Sequence, residues 1–204
     1  MSQEAILEAA ALLFSQQGYA ATTLAEVAHK SDVNPGSLYY FFPTKEALLA
    51  AVLQRYLKNM FPLVMKPVFD KYEDPIQRIF GVLEEYRGWV EMTHCEFTCP
   101  IGRLVLELGP EHPEIFPLLA KNFEQWSAVM RDCLTAARHR LPRGTDVASL
   151  GQFVLTVMEG AVMQARARRN LEVYDASVKE LRNYFRLLMR NKRGRNVYAK
   201  KTAH

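Results

Sequence analysis

The stretch that most constrains this chain is Thr22 to Lys45, TTLAEVAHKSDVNPGSLYYFFPTK. It holds two helix starts, too close together for the first helix to be long. Thr23 and Glu26 stand three apart. At that spacing a threonine hydroxyl accepts a first-turn N–H while the carboxylate reaches back to the cap N–H. Leu24, Val27 and Ala28 then share one helical face. The helix is expected to end at Ser31-Asp32, because aspartate tolerates the left-handed backbone of such a turn. Val33 plugs the turn. Asn34 is a good N-cap, and Pro35 follows at the first helical position, where its missing N–H costs nothing. Leu38 and Phe42, four apart, face inward. Pro35, Gly36, Ser37, Tyr39 and Tyr40 are left outside. Two short helices with one polar-aromatic edge make a helix-turn-helix over about residues 23–42, and its second helix fits a DNA major groove.

The run GSLYYFFPTKEALL, preceded by TTLAEVA and by a helix ending in QQGYA, resembles the N-terminal domain of the TetR family of transcriptional regulators. The resemblance covers roughly the first quarter of the chain. Two positions depart from the pattern. Ser31-Asp32 stands where Ala-Gly is usual, which implies a slightly strained turn. Phe41 stands where His is usual, which removes a polar group able to reach a phosphate. The resemblance implies an all-α protein. Residues 1–47 form a three-helix helix-turn-helix domain, residues 48–190 a larger helical ligand-binding and dimerisation domain, and 191–204 a basic tail. It implies a double-stranded DNA operator as partner and a ligand-responsive regulator, expected to be a repressor. Base-facing roles fall on Pro35, Gly36, Ser37 and Tyr40, beside the cap Asn34, and phosphate-facing roles on Thr23, Tyr39 and Lys45. The chemistry agrees. A small helix start presses close to base edges, Ser37 can donate or accept, and Tyr40 can pack on a thymine methyl.

With 204 residues the chain can bury a real core. Its longest uninterrupted apolar run is Ala47 to Leu53, far short of the roughly 18 residues of a membrane span. No signal peptide is legible at the N-terminus. The cysteines, Cys95, Cys99 and Cys133, are odd in number and sparse, so a reducing cytoplasm is the expected setting. The net charge of +4 is unevenly spread. Residues 1–50 carry two lysines against five acids, a balance of −3, while residues 190–204 carry six basic residues and no acid. An acidic head is unusual for a DNA reader. Helix N-termini, backbone N–H groups and hydroxyls can hold phosphates without a basic field, and such binding depends only weakly on salt.

Taken in order, a first helix capped by Ser2 is expected to run to about Gln17, stopped by Gly18. Thr44 caps a long fourth helix whose apolar side continues to Met60. Pro62, Pro67 and Pro75 predict broken helix and loop between them. Helical spacing resumes at Pro75 and continues to Val90. Cys99-Pro100 reads as extended, ahead of a short helix over Ile101 to Leu108. A long helix follows from Glu114 or Ile115 to about Arg140. Thr145 or Asp146 caps the next, in which Gly151 and Gly160 thin one side for close helix approach. The last helix is expected over about Ala176 to Arg190. The helices at about 146–170 and 176–190 are the expected homodimer contact, since two-fold symmetry matches paired half-sites.

Tyr86, Trp89, Phe97, Cys99, Trp126, Met130 and Phe153 are the candidates to line a pocket for a small apolar or aromatic effector. The segment FTCPIGRLVLEL resembles one found in a branch of the same family, some of whose members sense electrophiles or oxidants at this cysteine. That role needs a lowered Cys99 pKa, which the following helix N-terminus or Arg103 could supply; the plain alternative is a buried, inert thiol. His94, Cys95, Glu96 and Cys99 fit no strong zinc spacing, so no metal site is expected. No cofactor and no catalytic residue is expected either. Two rival readings stand beside the regulator: a helical adaptor without DNA binding, and an enzyme using Cys99 with His94 or His112.

Overall fold

The computed structural model describes residues 3–190, and the expected Ser2 cap and basic tail at 191–204 lie outside them. Among the described residues every regular element is helical. Helix α1 spans Gln3–Gln16, α2 Leu24–Lys30, α3 Pro35–Phe41 and α4 Lys45–Met60. Helix α5 spans Lys66–Lys71, α6 Pro75–Met92, α7 Pro100–Glu107, α8 Phe116–Ala136, α9 Val147–Arg168 and α10 Glu172–Arg190. Most ends follow from local chemistry. Gly18 takes φ +97° just past α1, a conformation that costs glycine little. Thr44 accepts Ala47 N–H at the start of α4. Asp74 accepts Ile76 and Gln77 N–H at the start of α6, and Asp146 accepts Ala148 and Ser149 N–H at the start of α9.

Three expectations about the elements change. The prolines at 62 and 67 do not break the chain into loop. A five-residue π-helical segment, Phe61–Met65, carries α4 directly into α5. Each proline removes a donor from the helical ladder, and the wider turn accommodates the loss. At the same level Gln125 Nε2, from α8, donates to Leu57 O at 3.1 Å. Helix α10 begins at Glu172, four residues before the expected start, with Asn170 Oδ1 accepting Glu172 N–H. Gly151 does mark a close helix approach: a Cβ there would sit 3.0 Å from Arg131 N on α8. Gly160 does not, since a Cβ there would meet nothing of this chain within 4 Å.

Two buried clusters hold the fold. One lies in the body, where α6, α8, α9 and α10 pack around Leu83, Leu134, Val154, Met158 and Phe185. The other fills the head but is not confined to it. Ile6, Phe14, Val27, Leu38 and Leu49 share it with Ile101 and Leu104 of α7 and Leu119 of α8. The head core therefore continues into the body through α4 and α7. By length and composition α9 could cross a membrane, although the longest apolar run of the sequence is short. In the fold its apolar side is packed, with Leu150, Val154, Met158 and Ala161 buried.

Candidate DNA-reading face and ligand chamber

The helix-turn-helix forms as its residue types dictate. Thr23 N–H donates to Glu26 Oε2 at 2.7 Å, and Glu26 N–H donates back to Thr23 Oγ1 at 3.2 Å, closing the reciprocal cap of α2. These bonds hold the Glu26 carboxyl below the usual carboxylate range. The Thr23 hydroxyl, expected at a phosphate, donates to the same carboxylate at 2.8 Å. Asp32 takes φ 53° in the turn, where glycine would carry no Cβ penalty. Asn34 Oδ1 accepts Ser37 N–H at 2.8 Å and fixes the start of α3. Leu38 and Phe42 are buried.

On the opposite side of α3, Tyr39 is 54% exposed and Tyr40 84% exposed. Asn34, Pro35 and Gly36 are exposed beside them and Ser37 partly so. Asn34, Gly36, Ser37 and Tyr40 border a single surface cleft with Phe41. The Tyr40 and Phe41 rings meet edge to face, centroids 5.3 Å apart. One expected phosphate contact is placed differently. Lys45 Nζ folds inward, donates to Ala20 O at 3.2 Å and sits 4.3 Å from the Tyr19 ring centroid. Desolvation there lowers its pKa. Its ammonium faces the seam between head and body.

That seam is polar and closely made. Glu107, at the end of α7, accepts Ala20 N–H at 2.6 Å. Arg103, one turn earlier, donates to Ser15 O at 2.7 Å, so it grips the C-terminal end of α1. Tyr19 O–H donates to Glu46 Oε1 at 3.1 Å. Arg55 on α4 binds Glu4 and Glu8 of α1 at 2.6 and 3.1 Å.

In the body, five of the seven expected pocket residues come together. Tyr86, Trp89, Phe97, Cys99 and Trp126 line a chamber of about 310 Å³. The Tyr86 ring lies 4.8 Å from Trp89, 5.3 Å from Trp126 and 5.6 Å from Phe97, within the range of favourable aromatic pairing. Met130 and Phe153 are not there. Met130 is ordinary core at 1% exposure. Phe153 is 45% exposed and packs on Tyr184 of α10, outside the chamber. Residue spacing alone could not distinguish the faces, since Phe153 lies one position from the buried Val154. Nine further residues line it that their spacing does not single out, among them Arg55, Tyr56, Asn59 and Met60 on α4, Leu63 beyond it, and Asn122 on α8. Asn122 did carry a signal, being a polar residue on the stripe of Leu119, Trp126 and Met130.

Cys99 does not have the environment of a reactive thiol. It caps α7, and Gly102 N–H donates to its Sγ at 3.5 Å. Burial nonetheless pushes the thiol well above its usual range, and the nearby Glu159 carboxyl adds to the rise. Arg103, which could have lowered it, spends its guanidinium on Ser15 O. All three cysteines are free and buried. Among the described residues no group of His, Cys, Asp and Glu could hold a metal ion. Cys99 also lines a second cavity, of about 580 Å³, between α7 and α9, with Glu159 and Arg166 in its wall.

Comparison with known proteins matches both parts of the chain. Residues 6–52 match the family described as bacterial regulatory proteins, tetR family. Residues 75–180 match the C-terminal domain described as transcriptional regulator LmrA/YxaF-like. The HTH-type transcriptional repressor DhaR of Mycobacterium sp. (strain GP1) is 25% identical over 172 residues, covering 83% of this chain and 85% of that protein. The regulatory protein TetR from Rhodobacter sphaeroides has the same fold, with TM-score 0.78 at 18% identity over 90% of this chain and 96% of that one. CifR is a TetR family transcriptional regulator whose cysteine mutant was crystallised with 26 bp double-strand operator DNA. It superposes with TM-score 0.73 at 24% identity, covering 89% of this chain and 96% of that one.

Proposed function

Since the chain belongs to the TetR family of transcriptional regulators, we propose that it is a homodimeric repressor that leaves its operator when a small apolar or aromatic molecule fills the chamber. The observation that carries the DNA half is the outer edge of α3. Tyr39 and Tyr40 stand in solvent beside Asn34, Pro35, Gly36 and Ser37, while Leu38 and Phe42 hold the helix to the head. Large aromatic side chains that stand this far into solvent fit an interaction surface. The similarity to the transcriptional repressor DhaR and to CifR, which binds double-strand operator DNA, supports the same reading for this chain. The backbone N–H groups at the start of α4 take the phosphate side with Tyr39, since the Thr23 hydroxyl and N–H are both spent on Glu26.

The dimer is assigned to α9 and α10. Phe153, Met163, Tyr184 and Leu187 are exposed apolar side chains along these helices, and Gly160 leaves a gap between them. A second copy would cover that face and set the two α3 helices at the spacing of successive major grooves, roughly 34–36 Å.

Release follows from what α4 and α7 each touch. The far half of α4 lines the chamber, and its Arg55 binds α1. The start of α7 lines the chamber too, and its Arg103 and Glu107 bind the end of α1 and Ala20. An effector that favours a different placing of either helix shifts the head, and operator affinity falls by the effector's differential affinity for the two placements. Covalent modification of Cys99 is the weaker route to release, because the thiol is buried and kept protonated. The test is a binding titration with the DNA upstream of the coding sequence. Sequence-selective binding that Tyr40→Ala abolishes supports the proposal. Dimers that bind no DNA selectively would leave a helical adaptor.

A further inference from the structure

We propose that Asn122 is the hydrogen-bond acceptor that selects the effector, so that the effector is an aromatic molecule bearing an O–H or N–H donor; this rests on the reading of the aromatic chamber as the effector site. Among the described residues only Thr22 and Asn122 are buried polar side chains, at 1% and 2% exposure. Thr22 is accounted for, since its hydroxyl donates to Gly18 O at 2.6 Å. Asn122 is accounted for on one side only. Its Nδ2 donates to Leu118 O at 2.9 Å and to Leu53 O at 3.3 Å. Both partners are carbonyls, so the amide nitrogen must face them, and the oxygen is left on the other side. Among the described residues Oδ1 accepts no hydrogen bond, and Asn122 lines the chamber.

The other polar groups there do not make the same demand. The hydroxyls of Tyr56 and Tyr86 can each turn to donate or accept. Asn59 is only partly buried, so water can serve its amide. The Arg55 guanidinium is held by Glu4 and Glu8. Asn122 Oδ1 can only accept. An apolar molecule filling the chamber strands that oxygen, whereas a donor satisfies it. Discrimination of this kind is strong, because the penalty falls on the ligand that leaves a buried polar atom unpaired. The same amide grips Leu53 O on α4, the helix that runs back to the head. The group that reads the ligand is therefore bonded to the backbone that must move.

Trp89 and Trp126 are the only tryptophans of the chain and both line the chamber, so tryptophan emission reports its occupancy. The full-length protein is titrated with para-phenylphenol and with its methyl ether, which differ only in the donor. The phenol is expected to bind at least roughly tenfold more tightly, the ratio one good hydrogen bond provides. Asn122→Leu brings the phenol to the affinity of the ether. Equal binding of the two compounds to the wild type, a comparison that needs no variant, overturns the role of Asn122 and leaves the chamber as an effector site. A preference that survives Asn122→Leu does the same. If neither compound changes the emission, the chamber reading fails and this inference fails with it.

Discussion

Tyr39 and Tyr40 on α3 are 54% and 84% exposed, whereas Tyr86 on α6 is 3% exposed and touches three other aromatic rings. The residue type is the same and its circumstances are opposite. On α3 the ring pair among the described residues is Tyr40 with Phe41, and the helix is fixed from behind by Leu38 and Phe42. In the chamber the rings are one another's partners, and they enclose space instead of facing solvent. The contrast separates two kinds of recognition. A rigid helix can offer its side chains outward to a large partner. A cavity has to be built from several helices at once, so whatever fills it acts on all of them. Here those helices include α4 and α7, which carry the head.

The sharpest way to break this contrast is to cut the core that the two regions share. Leu104 on α7 is 2% exposed and packs in the head cluster. Leu104→Ala should cost about 2–5 kcal/mol. Because head and body share that cluster, both should unfold together at a lower urea concentration. A head that melts separately, with the body unchanged, would show that the two are independent after all.

Next in size is Tyr40→Ala. An exposed side chain of this kind should change stability by no more than about 0.5 kcal/mol. Operator affinity should fall by about 1–3 kcal/mol, the worth of a good base contact. Denaturation and a DNA titration on the same preparation read both numbers. With only Lys30 and Lys45 in the first 50 residues, and Lys45 turned into the seam, the salt dependence of that titration should be shallow.

The buried thiols set a smaller, pH-dependent effect. Burial pushes Cys99 well above the usual thiol range and Cys133 up to about 11. Below about pH 8.5 both folded and unfolded chains keep these protons and stability is unaffected. Above it the unfolded chain releases them first, so the folded state loses up to about 1.4 kcal/mol per pH unit for each thiol until the folded pKa is passed. The urea midpoint should therefore drop between neutral and strongly alkaline pH. Replacing Cys133 by Ala should reduce the slope. A thiol reagent should label native protein slowly at neutral pH and unfolded protein fast. Rapid labelling of native Cys99 would restore the reactive-cysteine route.

The smallest effect tests the hinge between the two regions. Thr44 Oγ1 accepts Ala47 N–H at 3.0 Å at the head end of α4. Thr44→Ala should cost about 1 kcal/mol, as loss of an N-cap does, without altering chamber binding. A change in ligand affinity of the same size would mean that the cap helps to set the chamber.

What could be read from residue order alone is what operates over three or four positions. The Thr23–Glu26 cap, the Asn34-Pro35 start, the left-handed Asp32 and the inward Leu38–Phe42 pair are each closed by bonds or contacts inside one turn of helix. That was enough for the head, for its exposed edge and for the family resemblance. The proline-rich run was misjudged because a π segment depends on donors from a neighbouring helix as well as on the missing ones. The position of the Lys45 side chain was not legible because its contacts, Ala20 O and the Tyr19 ring, come from a loop some 25 residues away. Which of Tyr86, Trp89, Trp126, Met130 and Phe153 would share a cavity was decided only when four helices met, since every one of them lies on a plausible apolar stripe. Asn122 shows the difference most clearly. Its polarity is visible in the sequence, but that its two hydrogens are spent on backbone carbonyls beside a cavity is a fact of the packed structure. Short-range bonds are fixed by chemistry along the chain, and the surroundings of a side chain are fixed by whichever distant segment arrives beside it.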